Sequence, residues 1–147
     1  MTPRGPRPDA GAATVEFVLL VIALLIPLTY VVLTVLTVQR SAFGVTQAAR
    51  EAARGFVTTP DGADPERRAR TAAALALSDQ GLDSAAVRIT FQCSATPCLS
   101  PSAELTVRVD AQVALPWVPD IFGQLAASVP VSAAHTEVVD PYTPTRP

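Results

Sequence analysis

A run of 22 residues without a charge, 17–38, constrains this chain more than any other stretch; it sits in GAATVEFVLLVIALLIPLTYVVLTVLTV, residues 11–38. As a helix rising about 1.5 Å per residue it reaches roughly 33 Å, the thickness of a bilayer's hydrocarbon core. Pro27, Thr29, Tyr30, Thr34 and Thr37 interrupt the apolar side chains. A membrane helix tolerates one Pro, and Thr hydroxyls can bond back to the helix's own carbonyls. A secretory signal has a shorter apolar stretch of about 7–15 residues, followed by a small-residue cleavage site. Here the run is longer and VQRSAFG follows it. The segment therefore reads as an uncleaved anchor, with any cut on its N-terminal side. Residues 1–10, with three Pro and one Gly, read as a flexible leader.

Glu16 stands at the edge of this run, where an acid is costly and by default marks a functional position. One reading needs no function: Glu16 lies in the first helical turn, where the partial positive charge of the helix N-terminus favours an acid. The other starts from Gly11, five residues earlier. A cut after Gly11 exposes an α-amino group on Ala12, four residues before Glu16, which pairs opposite charges at helical spacing. In a bundle of parallel helices the acid could instead meet a neighbour's amine and fix axial register. Physics alone does not choose between these readings.

Gly11, Ala12, Ala13, Thr14, Val15, Glu16 and Phe17, followed by the long apolar helix, resemble the processing site of type IV pilins and pseudopilins. More narrowly, GAATVEF, the apolar helix and QAAREAAR at 47–54 resemble the TadE-like family of the tight-adherence (Flp) pilus system, over about the first third of the chain. The resemblance implies a minor pilin or pseudopilin that a prepilin peptidase cuts between Gly11 and Ala12. Glu16 and Phe17 then serve recognition or assembly, and the other partners are pilin or pilus-assembly subunits met through the N-terminal helix. Pro27 lies well down the helix, apart from the early Pro often seen in TadE-like sequences, and no role is carried onto it. The folded region beyond the helix sets the chain apart from the very short major pilins of that system.

Beyond the span the helix is expected to continue over 39–54, where Ala48, Ala49, Ala52 and Ala53 favour it, and to be capped by Gly55. Val38, Ala42, Val45, Ala49 and Ala52 form a narrow stripe of small residues. It packs either on the protein's own domain, the reading carried forward here, or against other subunits. A connector leads to Asp64-Pro65, an N-cap with Pro at the first helical position, opening a second helix over 65–80 that stops at Gly81. Glu66, Arg67, Arg68 and Arg70 read as a solvated charge cluster rather than an anion site. Alternation predicts strands at 87–93, 104–115 and 128–138, the third an edge strand because of Pro130. Trp117 is assigned to the core, a short helix to 120–127 and a disordered tail to 141–147. The expected fold class is α+β: a long N-terminal helix, membrane-spanning in its first half, and a second helix, both packed on a small three-stranded antiparallel sheet, similar to pilin architecture. The corresponding divisions are 1–11 leader, 12–38 span, 39–140 domain and 141–147 tail.

Cys93 and Cys98 flank the loop between the first two strands. A metal site would need more ligands than these two and His135, so the pair reads as a disulfide in an oxidising compartment. The Arg residues on the two sides of the span do not decide orientation. The cysteine pair and the pilin resemblance place the N-terminus in the cytoplasm and the domain outside it. A net charge of −2 gives no footprint for nucleic acid. One His, no metal-ligand set, no phosphate loop and no paired carboxylates within the domain speak against an enzyme or a cofactor. The alternative to a pilin-like protein is a plain anchored module that presents its sheet domain to an envelope partner, with an intact N-terminus.

Overall fold

The computed structural model describes residues 10–83, 87–115, 128–142 and 144, with side chains from Ala13 onward. Two helices and three strands follow in order: α1 Ala10–Val57, α2 Pro65–Asp79, β1 Val87–Cys93, β2 Glu104–Ala114 and β3 Ser128–Val138. The chain divides into two units, Met1–Leu36 and Thr37–Pro147. The class is α+β, with the sheet antiparallel in the order β1-β2-β3.

In the first unit α1 carries Pro27 within it, and every described residue from Ala13 to Thr29 is exposed. The helix is long and apolar enough to cross a membrane, and its most apolar window is 0% buried, unlike the core helix of a soluble protein. Beyond the span, in the second unit, Ser41 Oγ donates to the Thr37 carbonyl at 2.9 Å and Thr46 to that of Ala42 at 2.8 Å. Within the span, Thr34 Oγ1 is occluded and has no hydrogen-bond partner among the described residues.

In the second unit the small residues of α1 are buried. Val45, Ala48, Ala49, Ala52, Ala53 and Phe56 join Ala69, Ala73, Ala76 and Leu77 of α2 and the inner face of β2 in one core. The stripe is thus packed on its own domain, but it is wider than expected and centred one position round, since Val38 and Ala42 are not among its buried members. Close approach explains the glycines: a Cβ on Gly44 would lie 3.0 Å from Gln80 Cβ and Leu82 Cδ1.

Gly55 does not cap α1, which runs on to Val57. A Cβ there would stand 3.4 Å from that of Ala72, so the residue serves helix–helix approach rather than a left-handed turn. Thr58 and Thr59 end the helix instead. Their hydroxyls donate to the Arg54 and Gly55 carbonyls at 2.7 and 2.8 Å, the first beside the Thr58 N–H that also reaches Arg54 at 3.1 Å. Residue 54 is therefore too early an end, and the helix already includes Ala10 and Gly11 at its start.

α2 obeys its signals. Asp64 accepts from the Arg67 N–H at 3.1 Å, and Pro65 occupies the first position. At the other end Gln80 is the C-cap and Gly81 takes φ +71°. The Leu82 and Gly81 N–H groups reach the Leu77 and Ser78 carbonyls at 3.0 and 2.9 Å, a Schellman closure.

In the sheet, Leu105, Val107, Val109, Ala111 and Val113 of β2 are buried while the residues between them are half-buried or exposed. β2 ends at Ala114, one residue short of expectation. β1 and β3 show the same alternation with half-buried inner residues, because each is an edge strand. The loop between β1 and β2 is tied across its base by Ser94, which accepts from the Glu104 N–H on its hydroxyl at 2.8 Å and donates its own N–H to the Glu104 carbonyl at 2.9 Å. Leu99 and Ala103 turn into the core from this loop, and Val139 follows them from the end of β3, its N–H donating to the Ala103 carbonyl at 2.8 Å. Trp117 and the expected helix at 120–127 lie outside the described residues, as does the tail except for Pro141, Tyr142 and Pro144.

Candidate functional site

The residues singled out by sequence lie along the first turns of α1. Because the helix starts at Ala10, Gly11 and Ala12 fall in its first turn and Glu16 does not. Six residues at about 1.5 Å each put Glu16 roughly 9 Å from the helix start. The helix macrodipole acts chiefly within the first turn, and the first turn of α1 holds no acid. Ala12 and Glu16 are four apart on one continuous helix, the spacing that brings side chains to one face.

Glu16 is exposed, and it makes no ion pair or hydrogen bond among the described residues. Phe17 is 66% exposed beside it. On the same stretch Thr14, Val15, Val18, Leu19 and Ile22 line a shallow apolar groove of ≈ 330 Å³. The arrangement offers one carboxylate among large apolar side chains with nothing of its own domain to cover them. Such a surface can insert in lipid or pack on other helices.

Cys93 and Cys98 form a disulfide, with Cα atoms 5.4 Å apart. His135 Nε2 lies 3.2 Å from Glu137 Oε2 on the edge strand β3. No group of three or more His, Cys, Asp or Glu that could hold a metal occurs among the described residues. The charge cluster opening α2 is partnered at the surface: Arg70 pairs with Glu66 at 3.4 Å and lies over the Phe91 ring, 5.1 Å from its centre. Phe91 in turn meets Phe56 at 5.6 Å.

One feature had no sequence signal. Where α2 runs beside the free edge of β1, a groove of ≈ 620 Å³ opens, lined by Asp64, Glu66, Arg67, Arg70, Thr71, Ala74, Val87 and Ile89. Alternation identifies Val87 and Ile89 as inward-facing, but only the placement of α2 leaves them uncovered on one side. No family model, curated protein or solved structure matches this chain.

Proposed function

We propose that this chain is a membrane-anchored minor pilin or pseudopilin-like structural protein of the TadE-like kind, taking part in assembly of a tight-adherence (Flp) pilus or a related secretion-like machine. The observation that carries this reading is the first half of α1. It is apolar on all sides, exposed throughout, and bears a single acid past the helix end. A plain anchor has no use for that acid at that depth, because each charge near hydrocarbon opposes insertion. An assembly of parallel helices has one, since a neighbour's α-amino group supplies the missing partner. The helix enters the membrane once, with the N-terminus cytoplasmic and the disulfide-bearing domain outside. A prepilin peptidase cuts between Gly11 and Ala12, and Glu16 and Phe17 meet other pilin or assembly subunits.

The test is the N-terminus of the membrane-extracted protein, labelled with an amine reagent before digestion and read by mass spectrometry. All eleven basic residues are Arg, so only the α-amino group labels. The expected product is a labelled peptide from Ala12 to Arg40. A start at residue 1 or 2 in cells with an active prepilin peptidase sinks the processing claim and leaves an anchored module. Glu16→Ala is expected to keep membrane insertion and lose assembly; normal assembly by a stably expressed variant removes the role given to the acid.

A further inference from the structure

Among the described residues the sheet ends in two edge strands, β1 and β3, with nothing paired beyond them. β1 presents its free row of backbone groups beside the groove under α2, where Val87 and Ile89 are half-covered and Arg67 and Arg70 stand above. The groove also holds Asp64 and Glu66, and Arg70 already pairs with Glu66. On β3 the inner-facing Val131, Ala133 and His135 are half-buried, and Glu137 follows on the same face with its side chain 39% exposed. An open strand edge is a template for another strand. Among the described residues neither Pro nor bulge blocks β1, and Pro130 removes at most one donor from β3.

The heights match. Through β2, Val87 stands level with Val131, Ile89 with Ala133 and Cys93 with Glu137. Arg70 of α2 comes over Phe91, which stands level with His135 through β2, and Arg67, nearer the start of α2, lies toward the Cys93 end, the level of Glu137. β1 and β3 also run in the same sense, each being antiparallel to β2. A β3 laid beside β1 of another copy, at the same height and facing the same way, sets Val131 and Ala133 into the groove against Val87, Ile89 and Ala74. It also sets Glu137 toward Arg67 and Arg70. A two-fold contact of β1 with β1 fills neither groove and brings Arg67 and Arg70 of both copies together.

We propose that this chain binds a second copy of itself by parallel addition of β3 to the β1 edge, with Val131 and Ala133 filling the groove under α2 and Glu137 facing Arg67 and Arg70. The contact is heterologous, so each copy keeps one open edge of each kind and the sheet extends from copy to copy. Copies joined this way point in one direction, as chains anchored in one membrane with one topology must. The inference rests on the anchoring proposed above and not on cleavage after Gly11.

The test uses the full-length chain in its membrane. Thr90, Ser132, Ala134 and Thr136 all face outward and are exposed, and both native cysteines are tied up in their disulfide. Three double variants, Thr90→Cys with Ser132→Cys, Ala134→Cys or Thr136→Cys, allow for a stagger of two residues either way. They are treated with a thiol crosslinker of about 5 Å reach, the spacing of adjacent strands. At least one is expected to give a ladder of dimers, trimers and higher products, while the single variants give none. Glu137→Arg is expected to abolish the ladder, and adding Arg67→Glu and Arg70→Glu to restore it. Dimers from Thr90→Cys alone, or no ladder from any double variant with its native disulfide intact, overturn the proposal. N-terminal labelling of the same samples separates the outcomes: a ladder on an uncut chain keeps the edge contact without the processing, and a cut chain without a ladder does the reverse.

Discussion

The two halves of α1 are built from different side chains and meet opposite fates. Over 13–36 the helix shows large residues outward, its exposed Leu, Ile and Val running from 40% exposure at Val21 to 67% at Leu24. Over 37–57 the inward positions are Ser41, Gly44, Ala48, Ala49, Ala52 and Ala53, with Val45 and Phe56 as the larger members. Large exposed side chains suit lipid, where filling space costs nothing and any neighbour will do. Small buried ones suit one specific neighbour at short range, because close approach of backbones leaves no room for more. Apolar character is shared by both halves; side-chain size separates the half that needs a solvent from the half that needs a partner.

Changes that respect one half and offend the other test this division. Leu77 is fully buried where α2 meets the core. Leu77→Ala is expected to cost the domain about 2–5 kcal/mol, read as a lowered urea midpoint in detergent, with membrane extraction unchanged. A wild-type midpoint would mean that the domain is not held by this core. Leu24→Arg is expected to oppose insertion by about 3 kcal/mol and to shift the chain toward the soluble fraction while the disulfide still forms in material that reaches an oxidising compartment. Full retention in membranes would break the comparison on the lipid side. Gly44→Ala places a methyl 3.0 Å from Gln80 and Leu82 and is expected to cost about 1–3 kcal/mol by overpacking. The same change of size made outward at Ala13 should leave the midpoint within error. Equal effects at the two positions would show that size does not matter where the division says it does.

Much of this was legible in the sequence, for identifiable reasons. β1 and β3 fall on the expected residues because alternation has a period that a one-residue slip destroys. α2 is framed by Asp64-Pro65 and Gly81, whose chemistry fixes both ends. The end of α1 was not legible, because glycine carries two messages. At Gly81 it supplies a positive φ, at Gly55 it supplies the absence of a Cβ, and the choice depends on Ala72 across the helix pair. Thr58 and Thr59 ended the helix unannounced, since hydroxyls that bond back to carbonyls are common within helices too. Leu99, Ala103 and Val139 lie outside any periodic segment, so nothing marked them as core. At Glu16 two readings remain that neither spacing nor the helix register chooses between. The groove beside β1 depends on where α2 lies across the sheet, which no local pattern encodes.

The tie between Cys93 and Cys98 makes the folding of the domain an address check. The closed loop holds in place the segment that delivers Leu99 and Ala103 to the core, and its closure contributes roughly 2 kcal/mol. That corresponds to a factor of about 30 between folded and unfolded chains. A copy still facing a reducing compartment lacks that factor, and one that has reached an oxidising compartment gains it. The chain is thus more durable with the disulfide closed than with it open.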